Sequence, residues 1–279
     1  MIKPPFKWAG GKTKMLKAYE PLIQDTLRDS DTFIDAFFGA GAMSLYVYDQ
    51  YPHMDIVAIE HNAEMTAVYD AMGNIDAFIE ELDKIAKPYE AASKEERYDY
   101  YYAQRERYAF GDNSDIVSAA LLFFMLRTCF NGIWVTRKKL NNKFGTPVGG
   151  RNEKKVYDET QLRQFAGFLN NVTFITGDFE EARKHVKGTS FIYCDPPYRD
   201  SFTPYGGGFD DSEQTRLVLF MDEMADDAHY VAMSNKIGHD DFWDNSAIRN
   251  WNRHLFNVKY TATRSAEAKK DVEVLFTNF

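Results

Sequence analysis

The chain has 279 residues, 44% of them hydrophobic and 27% charged, with a formal net charge of −9. That length suits one large domain or one domain carrying an insert, and the acidic balance excludes a surface that is a nucleic-acid footprint throughout, leaving room for a local basic patch. The two cysteines, Cys129 and Cys194, stand far apart in apolar surroundings, as reduced thiols of a cytosolic protein do.

No Cys or His spacing fits a metal site, so no metal is expected. The longest strongly apolar run, Ala119 to Leu126, is too short to span a bilayer, and the first residues lack the apolar core of a signal peptide. A soluble intracellular protein is expected. In chain order, Phe6-Lys7-Trp8-Ala9-Gly10-Gly11-Lys12-Thr13 joins bulky aromatics, two lysines and a glycine pair ahead of a predicted helix from Lys14 to Leu27. The leading glycine of a phosphate loop would fall at Phe6, and no strand precedes the turn, which rejects that reading. What remains is a pliable turn beside two cations, either gripping a ligand carboxylate or lying solvated on the surface.

Thr32 to Phe37 is the first predicted strand, and it runs through Phe38-Gly39-Ala40-Gly41-Ala42 into an apolar helix ending near Tyr48. Two glycines of the dinucleotide fingerprint are present and Ser44 stands where a third would fall. Close backbone approach to a nucleoside-linked ligand fits this better than a pyrophosphate cradle. Asp55 to Ile59 predicts a second strand ending at Glu60, at the sequence distance where an acidic residue takes ribose hydroxyls; alone, it also reads as a solvated strand-end charge. From Asn62 to Phe124 the apolar spacing is helical, through Met65, Val68, Tyr69 and Met72, then Phe78, Ile79 and Leu82. The cluster Tyr98 to Tyr102 with Arg97, Arg105 and Arg107 reads as a packing face, with a phosphate-facing surface as the alternative.

Between Arg127 and Lys155 stand eight basic residues, Arg127, Arg137, Lys138, Lys139, Lys143, Arg151, Lys154 and Lys155, against one acid, Glu153. Interleaved with Phe130, Trp134, Phe144 and turn residues, they make a basic hairpin suited to meeting phosphates and filling a vacated base stack. A helix from Glu159 to Leu169 follows, then a strand from Val172 to Thr176 ending in Gly177-Asp178-Phe179, where an acid and an aromatic can bond and stack on an adenine ring. Beyond a further strand, Arg199 to Asp211 holds three consecutive glycines and predicts a mobile loop. Thr215 to Met224 predicts a helix, and His229 to Met233 a strand ending in Ser234-Asn235. Leu255 to Thr261 and Val272 to Thr277 are the last predicted strands.

The stretch that organises the rest is Phe191-Ile192-Tyr193-Cys194-Asp195-Pro196-Pro197-Tyr198. An apolar strand runs into two prolines that forbid further ladder hydrogen bonds, so Asp195 is presented at a strand's carboxyl end, where open α/β sheets place their ligands. A carboxylate and a nearby backbone carbonyl can accept both hydrogens of an exocyclic amine, which draws the nitrogen lone pair out of ring conjugation. A tyrosine ring beside them can stack on a base face. The alternative is a proline-rich turn carrying a solvated acid.

Lys7-Trp8-Ala9-Gly10-Gly11-Lys12, Phe38-Gly39-Ala40-Gly41, Glu60, Phe130-Asn131-Gly132 with Phe144, Pro147 and Gly149, Gly177-Asp178-Phe179 and Asp195-Pro196-Pro197-Tyr198 occur in that order. With them the chain resembles the Dam-type, class alpha DNA adenine-N6 methyltransferases over nearly its whole length. The resemblance implies an α/β fold: a Rossmann-like S-adenosylmethionine-dependent methyltransferase sheet of seven strands with an inserted helical target-recognition domain. The expected division is 1–61 and 156–279 for the catalytic part and 62–155 for the target-recognition part. The implied cofactor, S-adenosylmethionine, would lie against Lys7, Trp8, Ala9, Gly10, Lys12, Phe38, Gly39, Ala40, Gly41 and Asp195. Glu60 would hold its ribose, Asp178 and Phe179 its adenine, and Trp8 and Lys12 would stand near its methionine part.

The same resemblance implies that the target adenine leaves a DNA duplex, stacks on Tyr198 and is held by Asp195 and the Pro196 carbonyl, with Pro197 stiffening the turn. Lys7, Phe130, Asn131, Gly132, Arg137, Lys138, Lys139, Lys143 and Pro147 are the implied DNA-contacting set. Family members typically run from Tyr-Asn-Gly to a nearby arginine and on to Phe-Asn-Val-Pro. Here Phe130 replaces the tyrosine, Val135 and Thr136 delay the arginine to Arg137, and Gly145-Thr146 stands for Asn-Val, so GATC is the default target only. Methylation of cytosine N4, of an RNA base or of a protein glutamine, and a non-enzymatic DNA binder, are the rivals; Asp at position 195 and the intact glycine turn favour adenine chemistry. A separately acting restriction endonuclease, a monomer or weak dimer, no membrane, and the cytoplasm of a bacterium or phage-infected cell complete the expectation.

Overall fold

Burial on both faces explains why the strand before Asp195 reads as an unbroken apolar run: β4 (Ser190–Cys194) is buried at every position. In this computed structural model, which describes residues 2–149, 155–199, 209–260 and 269–279, β4 lies at the centre of a seven-stranded sheet. Its companions are β1 (Thr32–Asp35), β2 (Asp55–Glu60), β3 (Thr173–Thr176), β5 (Tyr230–Lys236), β6 (Asn252–Tyr260) and β7 (Lys269–Thr277), in the order β3-β2-β1-β4-β5-β7-β6. The pairs from β3 to β5 are parallel, and β7 runs antiparallel between β5 and β6. The Rossmann-like methyltransferase arrangement is therefore present. Arg151, Glu153 and Lys154, Thr261 and most of the glycine-rich stretch after Arg199 lie outside the described residues.

Alternation along the strands divides the core between two faces. Phe33 of β1 and Phe191 and Tyr193 of β4 pack under Leu16, Tyr19, Ile23 and Leu27 of α1 (Leu16–Arg28) and Met43 and Val47 of α2 (Ala42–Gln50). Ile34, Ile192 and Val231 face the opposite way, onto Leu217, Val218 and Met221 of a helix spanning Asp211–Asp226.

Between β2 and β3 the chain forms α3 (Ala63–Ala71), α4 (Ile75–Ala91), α5 (Lys94–Phe110), α6 (Asp115–Thr128) and α7 (Glu159–Leu169). Helix α6 is apolar all round and buried from Ala119 to Leu126, as a helix wrapped by its neighbours must be. Its Phe123 and Phe124 share one core with Phe38, Leu45 and Ala58 of the sheet region, so these helices rest on the sheet. The helix Asp211–Asp226, α8, starts earlier than Thr215 because Asp210 caps it, accepting from the Ser212 and Glu213 amides.

Of the Tyr–Arg cluster of α5, Arg97, Tyr101 and Arg105 form a buried packing face, whereas Tyr98 and Arg107 are exposed. Arg97 donates to the Tyr89 and Glu90 carbonyls at 2.9 and 3.0 Å, Arg105 to the Gly145 carbonyl at 3.2 Å, and the Tyr101 hydroxyl to the Thr146 carbonyl at 2.8 Å. The Arg97 bonds tie α5 to the end of α4, and those of Tyr101 and Arg105 fasten the segment after α6, which folds back on itself through bridges of Cys129 with Val148 and Thr136 with Phe144. Strand β5 also runs further than the apolar pattern predicts: Ser234, Asn235 and Lys236 find ladder partners in Leu275, Val274 and Glu273 of β7.

Candidate active site

Strand order reverses between β1 and β4, which opens a crevice outside their carboxyl ends. The glycine turn follows β1, Asp195 follows β4, Glu60 closes β2 and Asp178 follows β3, so the sheet brings all four to one edge.

At the end of β4, the turn is held on both sides of Tyr198. Gln214 Nε2 donates to the Pro197 carbonyl at 2.8 Å, Asn235 Nδ2 donates to Gln214 Oε1 at 3.1 Å, and Asn235 Oδ1 accepts the Arg199 amide at 3.2 Å. Gln214 and Asn235 are fully buried, and each polar atom that holds the turn is paired. Arg199 then forks onto Asp211 and Asp240 and lies over the Phe242 ring, 4.2 Å from its centroid.

Lys12 meets Asp195 here. Its buried ammonium lies 2.7 Å from Asp195 Oδ1, donates to the Gly10 carbonyl at 2.8 Å and stands 4.8 Å from the centroid of the Tyr198 ring. A nitrogen donor on this carboxylate and over this ring is the arrangement an exocyclic amine would adopt. Burial pushes the Asp195 carboxyl up to about 6, with Lys12 pulling it down and Glu273 raising it. It is still mostly ionised at neutral pH, as an acceptor of amine hydrogens must be.

Around the glycine turn, Gly41 and Gly39 adopt φ of 77° and 53°, and a Cβ on Gly39 would lie 2.9 Å from Trp8 Nε1. Glu60 accepts the Gly39 amide at 3.0 Å and the Asn62 amide at 2.8 Å, and burial pushes its carboxyl up to about 7. The Tyr69 hydroxyl donates to the Gly39 carbonyl. Asp35, at the last position of β1, is a further acid at this edge that the strand pattern alone does not single out. It is buried and pushed up to about 7; Oδ2 accepts the Ser44 hydroxyl at 2.7 Å and Oδ1 has no hydrogen-bond partner among the described residues. An acid four residues ahead of Gly39, at the end of an apolar strand, is the available signal.

Asp178 and Phe179 reach the same edge, with different company from that expected. The Asp178 carboxylate takes both terminal nitrogens of Arg216, each at 2.8 Å, which holds it below the ordinary carboxylate range. Phe179 is buried between Phe37, stacked at 5.6 Å, and the Arg216 guanidinium, 4.2 Å from its centroid.

The Phe130-Asn131-Gly132 turn docks on the N-terminal segment. Gly132 has φ 65°, a Cβ there would come within 2.4 Å of the Lys7 carbonyl, and the Ala9 amide donates to the Gly132 carbonyl at 3.1 Å. Phe130 is tied to Pro147 through an amide–carbonyl bond of 2.9 Å, and Trp8 lies 6.2 Å from Trp134. Lys7, Asn131, Lys138 and Lys139 are exposed, whereas Phe130, Arg137, Lys143 and Pro147 are half-buried. Arg137 Nε donates to the Gly145 carbonyl at 2.8 Å. Lys143 lies over the Tyr108 ring, 4.9 Å from its centroid. The Thr146 hydroxyl, which departs from the family pattern, donates to the Ile133 carbonyl at 2.6 Å and accepts the Val135 amide at 3.1 Å. It locks the two arms around the residues that delay Arg137.

Comparison with known proteins agrees with this geometry. The D12 class N6 adenine-specific DNA methyltransferase family matches residues 8–266. Type II methyltransferase M.MjaIII of Methanocaldococcus jannaschii is 31% identical over 252 residues, covering 86% of each chain. The DNA adenine methylase of Haemophilus influenzae is 30% identical, covering 74% of this chain and 68% of that one, and that of Vibrio cholerae is 27% identical, covering 98% and 94%. With the strand order, the glycine turn and the Asp195 turn all in place, the chain belongs to the D12 class of N6 adenine-specific DNA methyltransferases.

Proposed function

We propose that this DNA adenine methyltransferase uses S-adenosylmethionine, draws the target adenine out of a duplex, and seats the amine on Asp195 and the Pro196 carbonyl above the Tyr198 ring. The observation that carries this reading is the Lys12 ammonium on Asp195 beside that ring, a cationic stand-in for the acceptor amine.

The residues at the sheet edge fit the cofactor. Asp35 Oδ1 is a buried acceptor without a hydrogen-bond partner among the described residues, beside a glycine turn whose Gly39 leaves no room for a side chain against Trp8, and S-adenosylmethionine carries two cationic centres. Lys7, Trp8, Ala9, Gly10, Phe38, Gly39, Ala40, Gly41 and Glu60 would line its nucleoside and methionine parts, with Asp178 and Phe179, already paired with Arg216, bordering its adenine. When bound, it supplies an electrophilic methyl group.

The chain's own part is to position and to move a proton. Asp195 and the Pro196 carbonyl each accept one amine hydrogen, which frees the nitrogen lone pair to point out of the ring. Lys12 must withdraw from Asp195 as the amine arrives. Asp195, with its raised pKa, then takes the proton that the amine releases and passes it to solvent. Pro196 and Pro197 keep the turn from relaxing into a strand.

Residues 62–155 form the target-recognition part, and 1–61 with 156–279 the catalytic part. Lys7, Lys138 and Lys139 meet phosphates, with Lys143 supporting the hairpin. Phe130 and Asn131 enter the vacated stack, turned by Gly132 and Pro147, and Arg137 reads a base edge, with GATC as the default target. The protein works in the cytoplasm as a monomer or weak dimer, and a partnered restriction endonuclease acts separately. The test is methyl transfer to unmethylated duplex oligonucleotides followed by nucleoside mass analysis. N6-methyladenine with the native chain, and none with Asp195→Ala that still binds the cofactor by calorimetry, is expected. Near-normal turnover by Asp195→Ala, or methyl on cytosine, would refute the assignment.

A further inference from the structure

Because β7 runs antiparallel between β5 and β6, its early residues lie at the carboxyl edge of the parallel strands, beside the Asp195 turn. Glu273, in register with Lys236 at the end of β5 and Phe256 on β6, is placed there by the sheet itself. It is 6% exposed, and a carboxylate so buried needs partners. Its Oε2 accepts the Tyr198 hydroxyl at 3.0 Å, across 75 residues of sequence.

The backbone on both sides of Tyr198 is fixed by Gln214 and Asn235, but those bonds leave the side-chain torsions of the ring unfixed. A tether at the far tip of the phenol removes that freedom, and a charged acceptor makes the tether stronger than a neutral one. Stacking as such has no use for the hydroxyl, since a phenylalanine ring stacks on a base equally well. A buried carboxylate that accepts the phenol hydrogen therefore points to orientation.

We infer that Glu273 is a positioning residue for methyl transfer: by accepting the Tyr198 phenol it fixes the ring plane on which the flipped adenine stacks, and so the direction in which the amine nitrogen faces. The inference rests on the stacking role proposed for Tyr198.

The test compares Tyr198→Phe, Glu273→Ala, Glu273→Gln, the Tyr198→Phe/Glu273→Ala double variant and Tyr198→Ala in the full-length chain. kcat and KM are measured on duplex DNA, 2-aminopurine fluorescence is read at the target position, and cofactor affinity by calorimetry reports an intact fold. Tyr198→Phe and Glu273→Ala should each lower kcat about tenfold, or about 1.4 kcal/mol, with changed 2-aminopurine emission and near-native cofactor affinity. The double variant should be no worse than either single one, since both remove one hydrogen bond. Glu273→Gln should recover most of the kcat lost in Glu273→Ala, because its amide oxygen accepts the same hydrogen as a weaker, neutral acceptor. Losses that multiply in the double variant, an unimpaired Tyr198→Phe, or a Glu273→Gln as poor as Glu273→Ala would overturn the inference. Should Glu273→Ala fail to fold, Tyr198→Phe and Glu273→Gln decide alone. Full activity in Tyr198→Ala removes the stacking role itself, whereas an inactive Tyr198→Ala beside a fully active Tyr198→Phe removes only the role of Glu273.

Discussion

Replacing Lys12 by methionine removes an ammonium from Asp195 while keeping an unbranched chain of similar reach in a buried position. Of the influences on the Asp195 carboxyl, burial and Glu273 push its pKa up and Lys12 pulls it down, both as a charge and as a hydrogen-bond donor. Without Lys12 only the upward influences remain. A hydrogen bond to a charged group is worth about 1.5–3 kcal/mol and a pH unit about 1.4, so the carboxyl should climb by about one to two pH units from its value near 6. With 20% of the Asp195 side chain exposed, solvent screening favours the lower end. Because the ionised carboxylate is the working form, activity is lost as pH falls through this pKa, and Lys12→Met loses it at higher pH. The assay is kcat/KM for duplex DNA against pH at saturating cofactor, which reports the DNA-free enzyme, where Lys12 sits on Asp195. An acid limb that stays in place, or moves to lower pH, would refute the pairing of Lys12 with Asp195.

Other perturbations follow from particular contacts. Gly132→Ala sets a Cβ within 2.4 Å of the Lys7 carbonyl at φ 65° and should cost more than about 1 kcal/mol, seen as a lower midpoint in denaturant and weaker DNA binding. Thr146→Val leaves the Val135 amide and Ile133 carbonyl without their shared hydroxyl and should cost about 1–3 kcal/mol, with relaxed sequence discrimination; unchanged stability would show that the hairpin does not depend on it. Arg137→Ala should alter sequence preference or weaken DNA binding at constant cofactor affinity, and identical discrimination at every site tested would remove it from the recognition surface.

What the sequence reveals and what it hides divides along local and long-range structure. Asp195 is legible because an apolar run stopped by two prolines has one natural place in an α/β chain, the carboxyl end of a buried strand. The positions of Glu60 and the glycine turn are legible on the same footing, since β1 and β2 are short and apolar, Glu60 ending β2 and the glycine turn following β1. The Lys12–Asp195 pair is not: a lysine in a glycine turn reads as gripping a ligand carboxylate or as a solvated cation, and its pairing with a carboxylate of the chain follows only once the sheet has closed against the N-terminal segment. Glu273 is hidden for a similar reason, since its address depends on β7 pairing antiparallel with β5, the same pairing that draws Ser234 and Asn235 into the strand. The grip of Arg216 on Asp178 reaches from α8 to the end of β3, and nothing local announces it.

Genome-wide single-molecule mapping of modified bases in a methylation-deficient host expressing the chain, beside an Asp195→Ala control, tests adenine methylation at the Asp195 turn most directly. N6-methyladenine at one short motif, absent from the control, is the expected result. A genome free of the mark, with the protein folded and binding S-adenosylmethionine, or a mark that persists in the control, would contradict it.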